Sequence, residues 1–161
     1  MRIGVISDTH IPISADCLPQ KIYDYFKECD LIIHAGDAVE KSVIDELGKI
    51  AETKAVQGNM DSNELKQSLP EKMVLNIAGK KIGVIHGKGA PFNLFTRVSK
   101  AFGKKLDIII FGHSHTAFNE KKDGVLFFNP GSATGSMLSK KPSFGIIEIN
   151  GDEIRAEIIT C

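Results

Sequence analysis

Net charge is the first thing this chain lacks: twenty Lys plus Arg stand against twenty Asp plus Glu, a formal charge of zero. No global field therefore draws the protein onto nucleic acid or anionic lipid, and an anionic ligand has to be attracted locally. A dense basic run with interleaved aromatics is also missing, which argues against a polynucleotide groove. Cysteine is scarce. Cys17, Cys29 and Cys161 are scattered, odd in number and outside any CxxC spacing, which indicates neither a disulfide framework nor a thiolate zinc site. No apolar run approaches the roughly 20 residues that span a bilayer, and the chain enters a strand (RIGVIS) without a basic leader. A reducing, cytoplasmic location without membrane association is the expectation. Repeats, low-complexity tracts and linkers are absent as well, and 161 residues suit one hydrophobic core, so a single domain over residues 1–161 is expected.

What is present is a succession of apolar runs. Residues 2–7 read as a strand that stops at Asp8-Thr9-His10-Ile11-Pro12, where proline forbids simple continuation. Helical spacing over 18–28 (Leu18, Ile22, Tyr25, Phe26) and 41–51 (Val43, Ile44, Leu47, Ile50) alternates with strands over 31–35 and 53–57. That β-α-β-α-β order implies parallel strands. The second half predicts hairpins turned at Ala78-Gly79-Lys80, Lys122-Asp123-Gly124 and Asn150-Gly151-Asp152, with a helix over 94–102 and a buried strand at 108–111. Antiparallel pairing added to a parallel core predicts two mixed sheets packed together with helices outside.

One event recurs along the chain: a buried strand ends in a residue able to coordinate a metal. Asp8 and His10 follow the first strand, Asp37 the second, Asn59 the third, His86 the strand at 81–85, and His113 and His115 the strand at 108–111. In open α/β sheets the carboxyl ends of neighbouring strands form one crevice, where distant residues converge. Seven N and O donors exceed one tetrahedral zinc and suit two cations that share a ligand. Asp37 is the natural sharer, because a carboxylate bridges ions roughly 3.5–4 Å apart. Each member alone has a plainer reading: Asp8, Thr9 or Asp37 as helix caps, Asn59 as a turn residue, and Asp61-Ser62-Asn63-Glu64 as a helix start. His34, inside an apolar strand, is assigned to packing or to a hydrogen bond behind the donors.

The order Asp8-x-His10, Gly36-Asp37-x-x-Glu40, Gly58-Asn59-x-Asp61, His86-Gly87, Gly112-His113-x-His115 resembles the calcineurin-like metallophosphoesterase superfamily. With the closing Asn129-Pro130-Gly131-Ser132, the chain is similar to its small single-domain phosphodiesterase branch in bacteria and archaea. The resemblance implies a four-layer α-β-β-α sandwich. It also implies that one cation is held by Asp8, His10, Asp37 and His115 and a second by Asp37, Asn59, His86 and His113. Many relatives carry Gly-Asn-His-Asp, whose histidine protonates the leaving group; here that position is Met60, which has no proton to give.

The expected function is therefore a dinuclear-metal phosphodiesterase acting on small activated or nucleotide-type phosphodiesters through a metal-bridging hydroxide, with no stable nucleic-acid complex and oligomeric state open. Mn is the leading cation, with Fe, Co, Ni or Zn next, since four histidines disfavour Mg and Ca. Asn59 is expected to contact phosphate, and Lys88 is either a solvated lysine or a second anion contact. The pocket rim is expected from loops 90–93 and 131–141. The rival is a non-catalytic scaffold of the same fold, as in one subunit of the retromer complex.

Overall fold

In the computed structural model, which describes residues 1–90, 94–103, 105–135 and 141–161, fourteen elements are built from these runs. The first half gives β1 (Arg2–Ile6), α1 (Gln20–Phe26), β2 (Leu31–His34), α2 (Lys41–Gly48), β3 (Glu52–Ala55) and α3 (Asn63–Ser68). The second gives β4 (Lys72–Ile77), β5 (Lys80–Ile85), α4 (Leu94–Lys100), β6 (Ile108–Phe111), β7 (Phe118–Lys122), β8 (Val125–Asn129), β9 (Ser143–Asn150) and β10 (Glu153–Thr160).

The strands form two five-stranded sheets, ordered β10-β9-β1-β2-β3 and β4-β5-β6-β8-β7. Parallel pairing holds the centre of each, β1-β2-β3 in one and β5-β6-β8 in the other, and antiparallel hairpins close the flanks. Two of the hairpin turns place Ala78-Gly79 and Asp123-Gly124 at positive φ, the backbone twist that matches tightly paired strands.

Alternation of side chains sorts the core into layers. Ile3, Val5, Leu31 and Ile33 of one sheet meet Ile82, Val84, Ile108, Ile110 and Phe128 of the other in a cluster between the sheets. Their alternates Ile6 and Ile32 turn outward to Ile22, Phe26, Val43 and Leu47 of α1 and α2. On the far side, Ile109, Phe111 and Phe127 turn outward to Leu94 and Val98 of α4. The result is the expected α-β-β-α sandwich.

Differences from the sequence expectation are at the ends of elements. α1 and α2 are shorter than 18–28 and 41–51; Pro19 caps α1, and α2 ends at Gly48 before Ile50. β3 stops at Ala55; past it Val56 N still reaches the carbonyl of His34, and Gln57 N, on the opposite edge, bonds to the carbonyl of Pro70. Ser62 is the N-cap of α3, accepting from the N–H of Leu65. Residues 91–93 and 136–140 of the two expected rim loops lie outside the described residues.

Candidate metal centre

Parallel pairing of β1, β2 and β3, and of β5 and β6, brings the carboxyl ends of five strands to one edge of the sandwich, and the loops that follow carry all seven expected donors. Asp8, His10, Asp37, His113 and His115 adopt φ between 46° and 69°. They are five of the eight non-glycine residues with positive φ among those described. Left-handed backbone costs an L-residue energy and persists only where surrounding contacts enforce it, commonly at functional sites. Here the enforcing contacts are backbone bonds between the loops: Asp8 N to Gly36 O, His10 N to Asp37 O, and Gly112 N to His86 O. Glycine at two positions permits the close approach. A Cβ on Gly58 would stand 2.1 Å from Asp37 Oδ1, and one on Gly112 would stand 2.0 Å from Ser7 Oγ.

Five donors interlock. Asp8 Oδ1 lies 3.2 Å from His115 Nε2, 3.8 Å from His10 Nε2 and 3.9 Å from His86 Nε2. Asp37 Oδ2 lies 3.2 Å from His86 Nε2 and 3.7 Å from His10 Nε2, so this carboxylate stands between histidines of two different loops. The Nε2 atoms of His10 and His115 face each other at 3.2 Å. Asn59 and His113 form an outer pair, Oδ1 to Nδ1 at 3.0 Å, whose histidine ring lies 5.2 Å from that of His86. Two compact donor groups result: Asp8, His10 and His115, and Asp8, Asp37 and His86. Asp8 thus stands in both, whereas the expected sharer Asp37 stands in the second only.

The helix-cap readings of Asp8 and Asp37 do not describe what their side chains do. α2 is capped by Glu40 without a side-chain bond, while Asp37 Oδ1 accepts from Met60 N at 2.7 Å and Asp8 accepts from His113 N. His34 is fully buried; its Nδ1 accepts from Gly36 N and its Nε2 meets Thr9 Oγ1 at 3.2 Å. It therefore braces the loops that bear Asp8 and Asp37.

Burial disfavours the charged form of every ring here, and the carboxylates oppose it. For His34 burial wins and lowers its pKa to about 4, and for His10 it wins also. For His86 burial is outweighed by Asp37 and Asp8, which raise it to about 9. His115 is raised, chiefly by its bond to Asp8. Burial tends to raise Asp37, yet His86, the Met60 N–H and His10 hold its carboxyl below the usual range.

The donor set fits divalent cations on a specific observation. His86 Nδ1 is 2.7 Å from the carbonyl of Ala35, which keeps a proton on that nitrogen and leaves Nε2 to face the carboxylates, with a proton when the ring is charged and with a lone pair when it is neutral. That buried Nε2 has no hydrogen-bond partner, although two carboxylate oxygens lie within 3.9 Å. A lone pair aimed at carboxylates is repulsive unless a proton or cation stands between them. His115 Nδ1 is likewise buried without a partner.

A family model described as the calcineurin-like phosphoesterase superfamily domain matches residues 1–152. The chain belongs to the calcineurin-like phosphoesterase superfamily. Among curated relatives of this phosphoesterase, a protein of Methanothermobacter thermautotrophicus named "Probable metallophosphoesterase" is 37% identical over 161 residues, covering 99% of this chain and 92% of its own. A protein named phosphodiesterase in Methanocaldococcus jannaschii is 29% identical over 175 residues, with 99% of each chain covered. Among solved structures, Vps29 of Entamoeba histolytica complexed with Zn²⁺ superposes with a TM-score of 0.75 at 27% identity, covering 99% of both chains.

Residues outside the seven donors hold the phosphoesterase site from behind. Ser7 Oγ donates to Asp8 Oδ2 at 2.6 Å, and nothing in the sequence marked it. Asp61, buried, accepts from Val39 N and Gly58 N, both at 2.7 Å, and so clamps the Asp37 loop to the Asn59 loop. Its place in Gly58-Asn59-x-Asp61 was the available signal. Asn129 Nδ2 donates to Gly112 O, and Ser132 Oγ donates to Asp8 O. The Asn129-to-Ser132 motif therefore ties β8 to two donor loops.

Proposed function

We propose that this phosphoesterase is a phosphodiesterase that hydrolyses small activated or nucleotide-type phosphodiesters with two divalent cations per chain. One cation is assigned to Asp8, His10, Asp37 and His115, and the other to Asp37, Asn59, His86 and His113. The observation that carries this reading is the unpartnered, buried Nε2 of His86, facing Asp37 and Asp8. When bound, the cations supply Lewis acidity, lowering the pKa of water toward neutrality and offsetting charge on phosphate oxygens. Mn is the leading candidate and Fe, Co, Ni or Zn follow, because imidazole-rich sites favour transition metals over Mg and Ca.

In the reaction a water oxygen bonds to phosphorus, the P–O bond to the leaving group breaks, its electron pair stays on the leaving oxygen, and the proton of water passes to solvent. Asn59, exposed beside His113, presents an amide that can donate to a phosphate oxygen. Asp61 positions that residue through Gly58 N. Met60, half exposed at 48%, offers no proton to an alkoxide. Diesters with good leaving groups are therefore preferred over alkyl monoesters. A cytoplasmic setting agrees with three free cysteines, two of them exposed. No helix among the described residues is long and apolar enough to cross a membrane.

The test is elemental analysis with a Mn-dependent assay on bis(p-nitrophenyl) phosphate. About two metals per chain and turnover are expected, both lost in Asp37→Ala and His86→Ala. Undiminished activity in metal-depleted protein refutes the assignment. A second reading, a non-catalytic scaffold, draws on the Vps29 likeness and on Met60; a chain that takes up no metal and stays inert supports it.

A further inference from the structure

Resting on the phosphodiesterase reading, we propose that the cleft beside the donor cluster is a subsite for a second phosphate, so that the preferred substrate is a small phosphodiester carrying an additional phosphate group. The cleft has a volume of about 200 Å³, room for a phosphate group with several waters, each of which takes about 30 Å³ of liquid. Asn59 and His86 line it, so it opens directly off the proposed reaction centre, and Gln57, Lys66, Glu71 and Lys88 complete its wall.

Both lysines are tied to the site. Lys66 Nζ donates to the carbonyl of Asn59 at 2.8 Å, which uses one of three ammonium donors and leaves two for an anion. Lys88 stands in the loop after His86, and that loop is fastened by Gly89 O, which accepts from His113 Nε2 at 2.6 Å. No hydrogen bond or ion pair among the described residues engages the Lys88 ammonium. Two cations against Glu71 leave this cleft positive in a chain of zero formal charge, the local attraction that a neutral protein needs for an anionic ligand. The second phosphate is bound and not cleaved; only the scissile P–O bond breaks.

Two probes with one reacting group test this: thymidine 5′-(p-nitrophenyl phosphate) with and without a 3′-phosphate, each releasing p-nitrophenolate. The 3′-phosphorylated probe is expected to show about tenfold higher kcat/KM, mainly through KM. In the Lys66→Gln/Lys88→Gln double variant the preference falls below twofold. Equal values in the wild type, or a preference that survives in the double variant, overturn the subsite. Calorimetry reads the same subsite without turnover. Thymidine 3′,5′-bisphosphate should bind about tenfold tighter than thymidine 5′-phosphate to the wild type, and no tighter to the double variant. Equal binding to the wild type overturns the proposal. If the bisphosphate preference holds while neither probe is hydrolysed by metal-loaded protein, the phosphodiesterase reading fails and the anion site stands.

Discussion

Without metal, a proton must do at His86 what a cation does in the loaded site, and this makes stability depend on pH in a defined direction. The His86 pKa rises from 6.5 to about 9 in the folded chain, where burial is outweighed by Asp37 and Asp8. A group with a raised folded pKa adds stability that is fully present below its unfolded value and is lost as pH climbs through the folded one. The window therefore runs from about 6.5 to about 9, and the stability at stake is on the order of 3 kcal/mol. His86 is 2% exposed, so solvent screening does little to reduce it. Urea melts of metal-free protein at pH 6 and pH 9 measure the effect; with slopes of about 1–3 kcal/mol per molar, the midpoint should drop by about 1 M or more. His115 contributes in the same direction, since Asp8 raises it too, and His86→Gln isolates the part owed to residue 86. Added Mn²⁺ should stabilise more at pH 9 than at pH 6, because proton and cation compete for one nitrogen. An identical pH dependence in wild type and His86→Gln would show that the histidine between these carboxylates does not carry the charge assigned to it.

Met60→His restores a proton donor at an exposed position whose N–H is bonded to Asp37; the ratio of p-nitrophenyl phosphate to bis(p-nitrophenyl) phosphate turnover should rise about tenfold or more, and a flat ratio refutes the missing-acid argument. Asp61→Asn keeps the shape but withdraws one of the two oxygen acceptors that hold Val39 N and Gly58 N. It should cost about 1–3 kcal/mol in thermal melts and weaken Mn²⁺ affinity, with unchanged affinity counting against a positioning role.

Much of the fold was legible in the sequence because its signals are local. The nearly continuous apolar runs of β1, β2 and β6 follow from burial on both faces of each strand. The glycine-bearing turns at Ala78-Gly79 and Asp123-Gly124 declare hairpins through backbone conformations that few residues adopt. Element ends were less legible. Just past β3, Gln57 N finds the carbonyl of Pro70, a partner set by the course of the chain and not by the composition of the strand.

Six of the seven candidate donors could be read from the sequence because they follow apolar strands, and parallel strands deliver their carboxyl ends to one edge; Asn59 follows β3, which is largely exposed. What holds those donors could not. The support that Ser7 gives Asp8, the clamp of Asp61 on two loops and the positive φ of five donor residues arise only when separate loops press together. Residue types and their order thus determined which atoms are available to a cation. The tertiary structure decided which of those atoms face one another and which lone pair is left without a partner, because hydrogen-bond satisfaction depends on distances between segments far apart in the chain.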